Sequence, residues 1–340
     1  MPEPVRALIA ASRASYDQQF DASHLARLRQ LADLCDPPLV ADLHHPRHDR
    51  LLREVQVLLS SWGTPALDRQ TLDRMPRLRA VFHCAGTVRH LVKDDFWKRG
   101  ILLTNAADVN AVPVAEFTFA SILLAGKKAQ FIARSGTARR VVWGDAPHGP
   151  FGPLTNYRPE IGIIGFSRIG RLVVERVSRG VDGATCWVVD PYAAASAVAA
   201  AGGRLTTLEY MLRRVSVLSL HAPELPETRH LIGAGQLALL PDHATVINTA
   251  RGSLIDTAAL EAECSSGRLN AVLDVTDPEP LPSTSVLHTL QNVSLTPHIA
   301  GSLYTETHRL TDRAIDELER FVQGRPPLSP VRRTDLGRSA

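Results

Sequence analysis

The sequence predicts an α/β chain built on two doubly wound parallel sheets, and three observations carry that prediction. Short apolar runs alternate with amphipathic segments over most of the chain, as strands joined by crossover helices do. One such unit, running from Glu160 to Asp190, holds a glycine turn of the kind that seats a dinucleotide. The length, 340 residues with 44% hydrophobic and 21% charged, allows two well-cored globular domains.

In chain order, Val5–Ala10 reads as a strand and Phe20–Leu34 as a helix with Leu25, Leu28 and Leu31 on one face. Val55–Leu59, Arg79–His83 and Ile101–Thr104 read as further strands, with a helix over Leu91–Trp97. Small-residue turns follow two of them, Ser61-Trp62-Gly63 and Cys84-Ala85-Gly86-Thr87. Ligands of open α/β sheets bind outside the carboxyl ends of strands, so both turns are pocket walls or plain turns. Val112–Arg134 reads as one long helix with Glu116 buried among apolar neighbours, followed by a Gly- and Pro-rich loop over Trp143–Pro159. Beyond Asp190 come a short alanine-rich helix (Ala193–Ala201) and strands at Val215–Leu220, Ala244–Asn248, Ala271–Val275 and Val293–Thr296. The last helix spans roughly Ser302–Gln323 and can pack back on the first domain, and an irregular tail begins at Gly324.

The Glu160–Asp190 stretch explains its own composition. Ile161, Ile163 and Ile164 end in Gly165-Phe166-Ser167-Arg168-Ile169-Gly170, then an amphipathic helix leads to a second strand. Gly165 permits the bend out of the strand, and Gly170 lets the helix pack closely. A pyrophosphate would rest on the free N–H groups at the helix N-terminus. Ser167 stands where the fingerprint has its middle glycine. Its Cβ would hold the pyrophosphate farther out, and its hydroxyl would offset this by donating to it. Asp190, twenty residues after Gly170, is placed to accept from an adenosine ribose and to repel a 2′-phosphate, which selects NAD(H).

Strand ends of the second sheet deliver Arg251, Glu279 and His298 to the rim that carries the glycine turn. Such a trio suits reduction of a 2-oxo acid. A guanidinium fork grips a carboxylate and polarises the keto oxygen. An imidazole protonates the developing alkoxide and takes the proton back in reverse. A carboxylate on the other ring nitrogen fixes the tautomer and stabilises imidazolium.

Asn248-Thr249-Ala250-Arg251-Gly252, Leu273-Asp274-Val275 leading to Pro278-Glu279-Pro280, and Thr296-Pro297-His298-Ile299-Ala300-Gly301 resemble the signatures of the D-isomer-specific 2-hydroxyacid dehydrogenases. His221-Ala222-Pro223 with Glu227-Thr228-Arg229 resembles that family's cofactor loop, and the likeness runs from about Gly86 to Gly301. The resemblance implies a Rossmann NAD-binding domain (108–298) inserted in a flavodoxin-like substrate domain (1–107 and 299–340), with two subunits pairing through the cofactor domain. It implies catalytic Arg251, Glu279 and His298. Gly165, Ser167, Arg168, Ile169, Asp190, His221, Pro223, Thr228, Thr249, Ala250, Asp274 and Ala300 are implied around NAD(H), with Asp274 at the nicotinamide carboxamide. Ala85, Gly86 and Thr87 are implied to offer amides to the substrate carboxylate, with Trp62 shaping its pocket. Arg89 and His90 meet an additional anionic group or face solvent. An NADH-sensing, corepressor-type interaction protein on this scaffold is the alternative, and NADH turnover with a 2-oxo acid separates the two.

Other partners are disfavoured. A net charge of +3 from dispersed Lys and Arg gives no nucleic-acid stripe. No signal-peptide pattern opens the sequence, and the longest apolar run, near Phe117–Ala125, falls short of a membrane span. Four scattered cysteines read as buried thiols of a cytoplasmic protein. His44, His45 and His48 lack zinc-site spacing, so no metal is expected. Arg134, Arg139 and Arg140 read as solvating a helix end.

Overall fold

Burial on both faces decides the strands: Ala7-Leu8-Ile9-Ala10 and Val57-Leu58-Leu59 are fully covered, as parallel strands under helices must be. A computed structural model describes residues 4–135 and 151–336. The chain divides into two compact units, Met1–Asn110 with Ser302–Ala340, and Ala111–Gly301.

The first unit holds β1 (Arg6–Ala10), β2 (Asp33–Leu39), β3 (Val57–Ser60), β4 (Ala80–His83) and β5 (Leu102–Asn105). They form one sheet in the order β2-β1-β3-β4-β5, every pair parallel. This is the flavodoxin-like order. One face packs Leu8, Leu58, Val81 and Leu103 against Phe96 and Leu72. The other packs Ile9, Leu59 and Phe82 against Leu310, Ala314, Ile315 and Leu318 of the terminal helix His308–Val322. That helix presents these residues at helical spacing, so its apolar stripe closes the sheet.

Several elements differ from the sequence reading. The helix expected over Phe20–Leu34 stops at Leu31, and Asp33 onward becomes the edge strand β2, which contains Pro37 and Pro38. An edge strand tolerates proline because one side of its backbone has no ladder to supply. The helix expected over Leu91–Trp97 is the short Asp94–Lys98. The tail is not wholly irregular. Val331 N–H donates to Leu103 (2.8 Å) and Thr104 bridges Pro330 antiparallel, so the tail covers the β5 edge. Glu317, 1% exposed, anchors it by accepting from the amides of Leu328 (2.9 Å) and Ser329 (2.6 Å). Those bonds answer the cost of a buried carboxylate.

The second unit holds β6 (Glu160–Ile164), β7 (Thr185–Val189), β8 (Gly203–Leu205), β9 (Val217–Leu220), β10 (Thr245–Asn248), β11 (Asn270–Leu273) and β12 (Val293–Leu295). The order is β12-β11-β10-β9-β6-β7-β8, again parallel throughout. Strand order reverses between β6 and β9, the topological switch point of a Rossmann sheet. The short edge strand β8 was not foreseen.

The long helix starts at Ala107, earlier than expected, and ends at Gly126; a separate helix covers Ala129–Arg134. Lys128 breaks them with a left-handed backbone (φ 51°) and turns its amine inward onto the carbonyl of His243 (2.7 Å) and the hydroxyl of Thr245 (3.0 Å). Burial pushes that amine down to about 8. Glu116 is exposed rather than buried and lies 3.5 Å from Arg176. Periodicity locates the apolar stripe but not which flank a lone carboxylate takes. By length and mean hydropathy (1.5) the Ala107–Gly126 helix would suffice to cross a membrane, contrary to the expectation that no run is long enough. Its Ala115, Ile122 and Ala125 instead pack with Ile161, Val173 and Val177 in the core of the second unit.

Arg134 donates to the His288 carbonyl (3.4 Å); Arg139 and Arg140 lie outside the described residues, as does 143–150 of the loop expected over Trp143–Pro159. All four cysteines are buried and free. No His, Cys, Asp and Glu cluster suited to a metal occurs among the described residues. The loop bearing His44, His45 and His48 is pinned by Arg74, which donates to the carbonyls of Leu43 and His45 and pairs with Asp49.

Candidate active site

At the switch point, two glycines are demanded by packing. Gly165 has φ +91°, and a Cβ there would sit 2.7 Å from the backbone of His221 and Ala222. A Cβ on Gly170 would sit 2.0 Å from the Gly165 carbonyl. Neither position admits a side chain. Ser167 is different: its backbone is extended (φ −70°, ψ −173°), so an L-residue fits without strain. It precedes the helix Arg168–Gly180, whose first-turn amides have no partner within the helix. This cradle with open amides suits a pyrophosphate.

The Ser167 hydroxyl donates to the His221 carbonyl (3.1 Å). Asp190, just beyond β7, accepts from Phe166 N–H (2.7 Å) and Tyr192 N–H (2.8 Å), one bond to each oxygen. Each carboxylate oxygen retains a lone pair for a ribose hydroxyl. The His221 ring is 3% exposed, its Nε2 lies 2.9 Å from Ser219 Oγ, and burial pushes it down to about 3. It packs beneath the turn as a neutral group. The Thr249 hydroxyl meets that of Thr118 (2.8 Å), and the Thr228 hydroxyl donates to the Pro223 carbonyl (2.7 Å), so both shape the loops that carry them.

Three neighbouring strands deliver the remaining groups at their carboxyl ends. Arg251 follows β10, Asp274 and Glu279 follow β11, and His298 follows β12. His298 Nδ1 donates to Glu279 Oε1 (2.7 Å), both side chains being about half exposed. That bond fixes the ring so that Nε2 is the nitrogen available to a reactant. His298 holds a left-handed backbone (φ 54°), unusual without glycine. Asp274 sustains it. Its carbonyl accepts from His298 N–H (2.9 Å), and its carboxylate accepts from Ile299 N–H (2.8 Å), Ala300 N–H (2.8 Å) and Thr296 Oγ1 (2.6 Å). A local strain of about 1–3 kcal/mol persists because surrounding bonds over-determine it.

Sequence reading missed two residues that hold Arg251. Asn248, 1% exposed, accepts from Ala250 N–H (3.1 Å) and donates to the Arg251 carbonyl (2.8 Å). An Asn three residues ahead of the arginine is a turn signal that was available. Gly252 has no room for a side chain: a Cβ there would lie 2.0 Å from the Thr276 carbonyl group. The arginine turn thus abuts the loop that leads to Glu279. Gly252→Ala is expected to destabilise the protein by about 1–3 kcal/mol, seen as a lower urea midpoint. An unchanged midpoint with unchanged activity would show that the loop yields freely.

Residues 122–300 match the family model described as the D-isomer specific 2-hydroxyacid dehydrogenase, NAD binding domain. A glyoxylate reductase of Aeropyrum pernix is 32% identical over 79% of this chain and 81% of its own. The chain belongs to the D-isomer-specific 2-hydroxyacid dehydrogenases. A D-3-phosphoglycerate dehydrogenase of Mycobacterium tuberculosis is 32% identical over 86% of the chain, which spans only about half (54%) of that relative. The phosphoglycerate oxidoreductase structure from Rhizobium etli superposes with a TM-score of 0.80 at 24% identity, covering 97% and 99% of the two chains. That likeness shows the fold. NAD(H) is the cofactor of this dehydrogenase family's matched domain, and the glycine cradle fits it.

In the first unit of this family member, the turn expected to meet the substrate has its carbonyls tied back. The Cys84 carbonyl accepts from Gln19 (3.2 Å), the Ala85 carbonyl from Ala106 N–H (3.0 Å) and the Gly86 carbonyl from Asn105 (2.8 Å). Cys84, Ala85 and Gly86 therefore hold a set backbone with carbonyl dipoles engaged inward, and the Thr87 hydroxyl accepts from Arg89 N–H (3.5 Å). Trp62, half-buried, accepts from Ser12 N–H through its carbonyl (2.9 Å).

Proposed function

We propose that this protein is an NAD(H)-dependent oxidoreductase interconverting a 2-oxo acid and a D-2-hydroxy acid. The observation that carries the proposal is the Glu279–His298 pair at 2.7 Å, on the same carboxyl edge as Arg251 and the glycine cradle. The relatives named as glyoxylate reductase and D-3-phosphoglycerate dehydrogenase support that substrate class.

When bound, the reduced nicotinamide supplies the hydride. Arg251 grips the substrate carboxylate and polarises the carbonyl oxygen. His298 Nε2 gives its proton to that oxygen as negative charge builds there, while Glu279 holds the ring through Nδ1. In the reverse direction the same nitrogen takes the hydroxyl proton. The Ala85-Gly86-Thr87 amides and Trp62 are assigned to the substrate, and Arg168, Ile169, Pro223, Thr228, Thr249 and Ala250 to the dinucleotide. Asp274 Oδ2, which accepts from Ala300 alone among the described residues, remains open to the carboxamide. A cytoplasmic homodimer joined through the cofactor unit completes the proposal.

NADH absorbance should fall on mixing with a panel of 2-oxo acids that includes glyoxylate and phosphorylated members. Tight NADH binding with no turnover of any of them would overturn the enzyme. Cofactor choice has its own test. Asp190→Asn should narrow the preference for NADH over NADPH by about tenfold, as ~1.4 kcal/mol of lost charge repulsion implies. Unchanged discrimination would remove Asp190 from the ribose site.

A further inference from the structure

We propose that Ser167 is a positioning residue that holds the phosphate turn closed across the switch-point crevice before any cofactor arrives. Ser167 belongs to the turn after β6, and His221 to the loop after β9, the two strands that flank the reversal of strand order. Their hydrogen bond, Oγ to the His221 carbonyl at 3.1 Å, joins residues 54 apart in the chain. The last rung of the β6–β9 ladder pairs Ile164 with Leu220, so the His221 carbonyl lies one residue past the ladder. Ser167 supplies a donor that the sheet no longer supplies there.

A glycine at this position would leave that carbonyl without the hydroxyl. Three features make the serine a tether rather than a phosphate ligand. The one hydroxyl proton is already given to a protein carbonyl. The backbone at Ser167 is unstrained, whereas a Cβ on Gly165 or Gly170 would meet backbone atoms at 2.7 Å or less. The His221 N–H donates to the Ile164 carbonyl (2.7 Å), so the residue whose carbonyl receives Ser167 is itself anchored to β6. A turn already ordered loses less freedom on binding, which favours affinity.

The inference rests on the turn being the pyrophosphate seat, and its test separates the two. Amide hydrogen exchange is measured on the cofactor-free protein, together with binding of NADH and ADP-ribose by fluorescence and calorimetry. Ser167→Ala should speed exchange at residues 166–168 and at Ala222 and Glu224, and weaken both ligands about three- to tenfold, as loss of one neutral hydrogen bond implies. Ser167→Thr, which keeps the hydroxyl, should restore both. Unchanged exchange in Ser167→Ala with weaker ADP-ribose would identify the hydroxyl as a phosphate ligand and overturn the tether. No change in either measurement would overturn it as well. Wild-type protein that binds no ADP-ribose would instead sink the pyrophosphate seat, while the exchange data would still judge the tether.

Discussion

His298→Asn should lower kcat by about 10²–10⁴, the span over which a positioned acid acts, while NADH binding stays near the wild-type value. Asparagine at 298 tolerates the left-handed backbone better than other replacements, because its short polar side chain suits that region. The clamp from Asp274 to residues 296–300 should therefore survive, and the loss reports proton transfer rather than a collapsed turn. Glu279→Gln is the companion variant. It keeps an acceptor for Nδ1 but removes the carboxylate charge, so it should retain more turnover than His298→Asn, which lacks the acid altogether. Pre-steady-state mixing with NADH and a 2-oxo acid distinguishes binding from chemistry. Full turnover in His298→Asn would remove the proposed acid and with it the role assigned to Glu279.

The second large effect concerns acid stability. His83 and His221 are both almost wholly buried, one in each unit, and each is pushed down to about 3. Desolvation is the main cause for both, and the charge of His90 adds to it at His83. His83 Nδ1 lies 2.9 Å from Ser60 Oγ, while its Nε2 is buried without a partner among the described residues. In the unfolded chain both rings would take up a proton near pH 6.5. The folded state binds fewer protons between that value and about pH 3, so stability is complete above 6.5 and declines as pH falls below it. The decline reaches of order 5 kcal/mol for each ring at the acid end, near pH 3. Urea midpoints measured from pH 7.5 to 4 should fall, and the fall should flatten in His83→Leu and His221→Leu, whatever their baseline loss. Equal slopes in wild type and both variants would show that neither ring is excluded from protonation in the fold. Histidine ring signals by NMR that titrate near 6.5 would show the same directly.

How much of this was legible beforehand varies with the range of the interaction involved. The strands of both sheets stood out wherever the chain is covered on two faces, as at Ile161–Ile164 and Val217–Leu220. Edge elements did not. β2 runs through Pro37 and Pro38 and is half exposed, and β8 is three residues long, so neither leaves a strong apolar run. Glu116 was misplaced because a helix pattern reports spacing, not which flank meets Arg176.

Local chemistry marked the candidate site. A glycine where φ must be positive (Gly165), an acid at the end of the next strand (Asp190), and an arginine, a glutamate and a histidine after successive strands are properties of short stretches, readable one segment at a time. Contacts between distant segments decided everything finer. Asp274 restrains a turn 22–26 residues later, Gly252 must lack a Cβ because Thr276 comes against it, and Ser167 turns to a carbonyl 54 residues away. The amino-acid sequence on its own determined which groups exist and on which strand ends they stand, because backbone conformation and burial are written in neighbouring residues. Only the tertiary structure decided which hydrogen bonds those groups make, because a donor selects its acceptor by proximity in space, and folding alone establishes that.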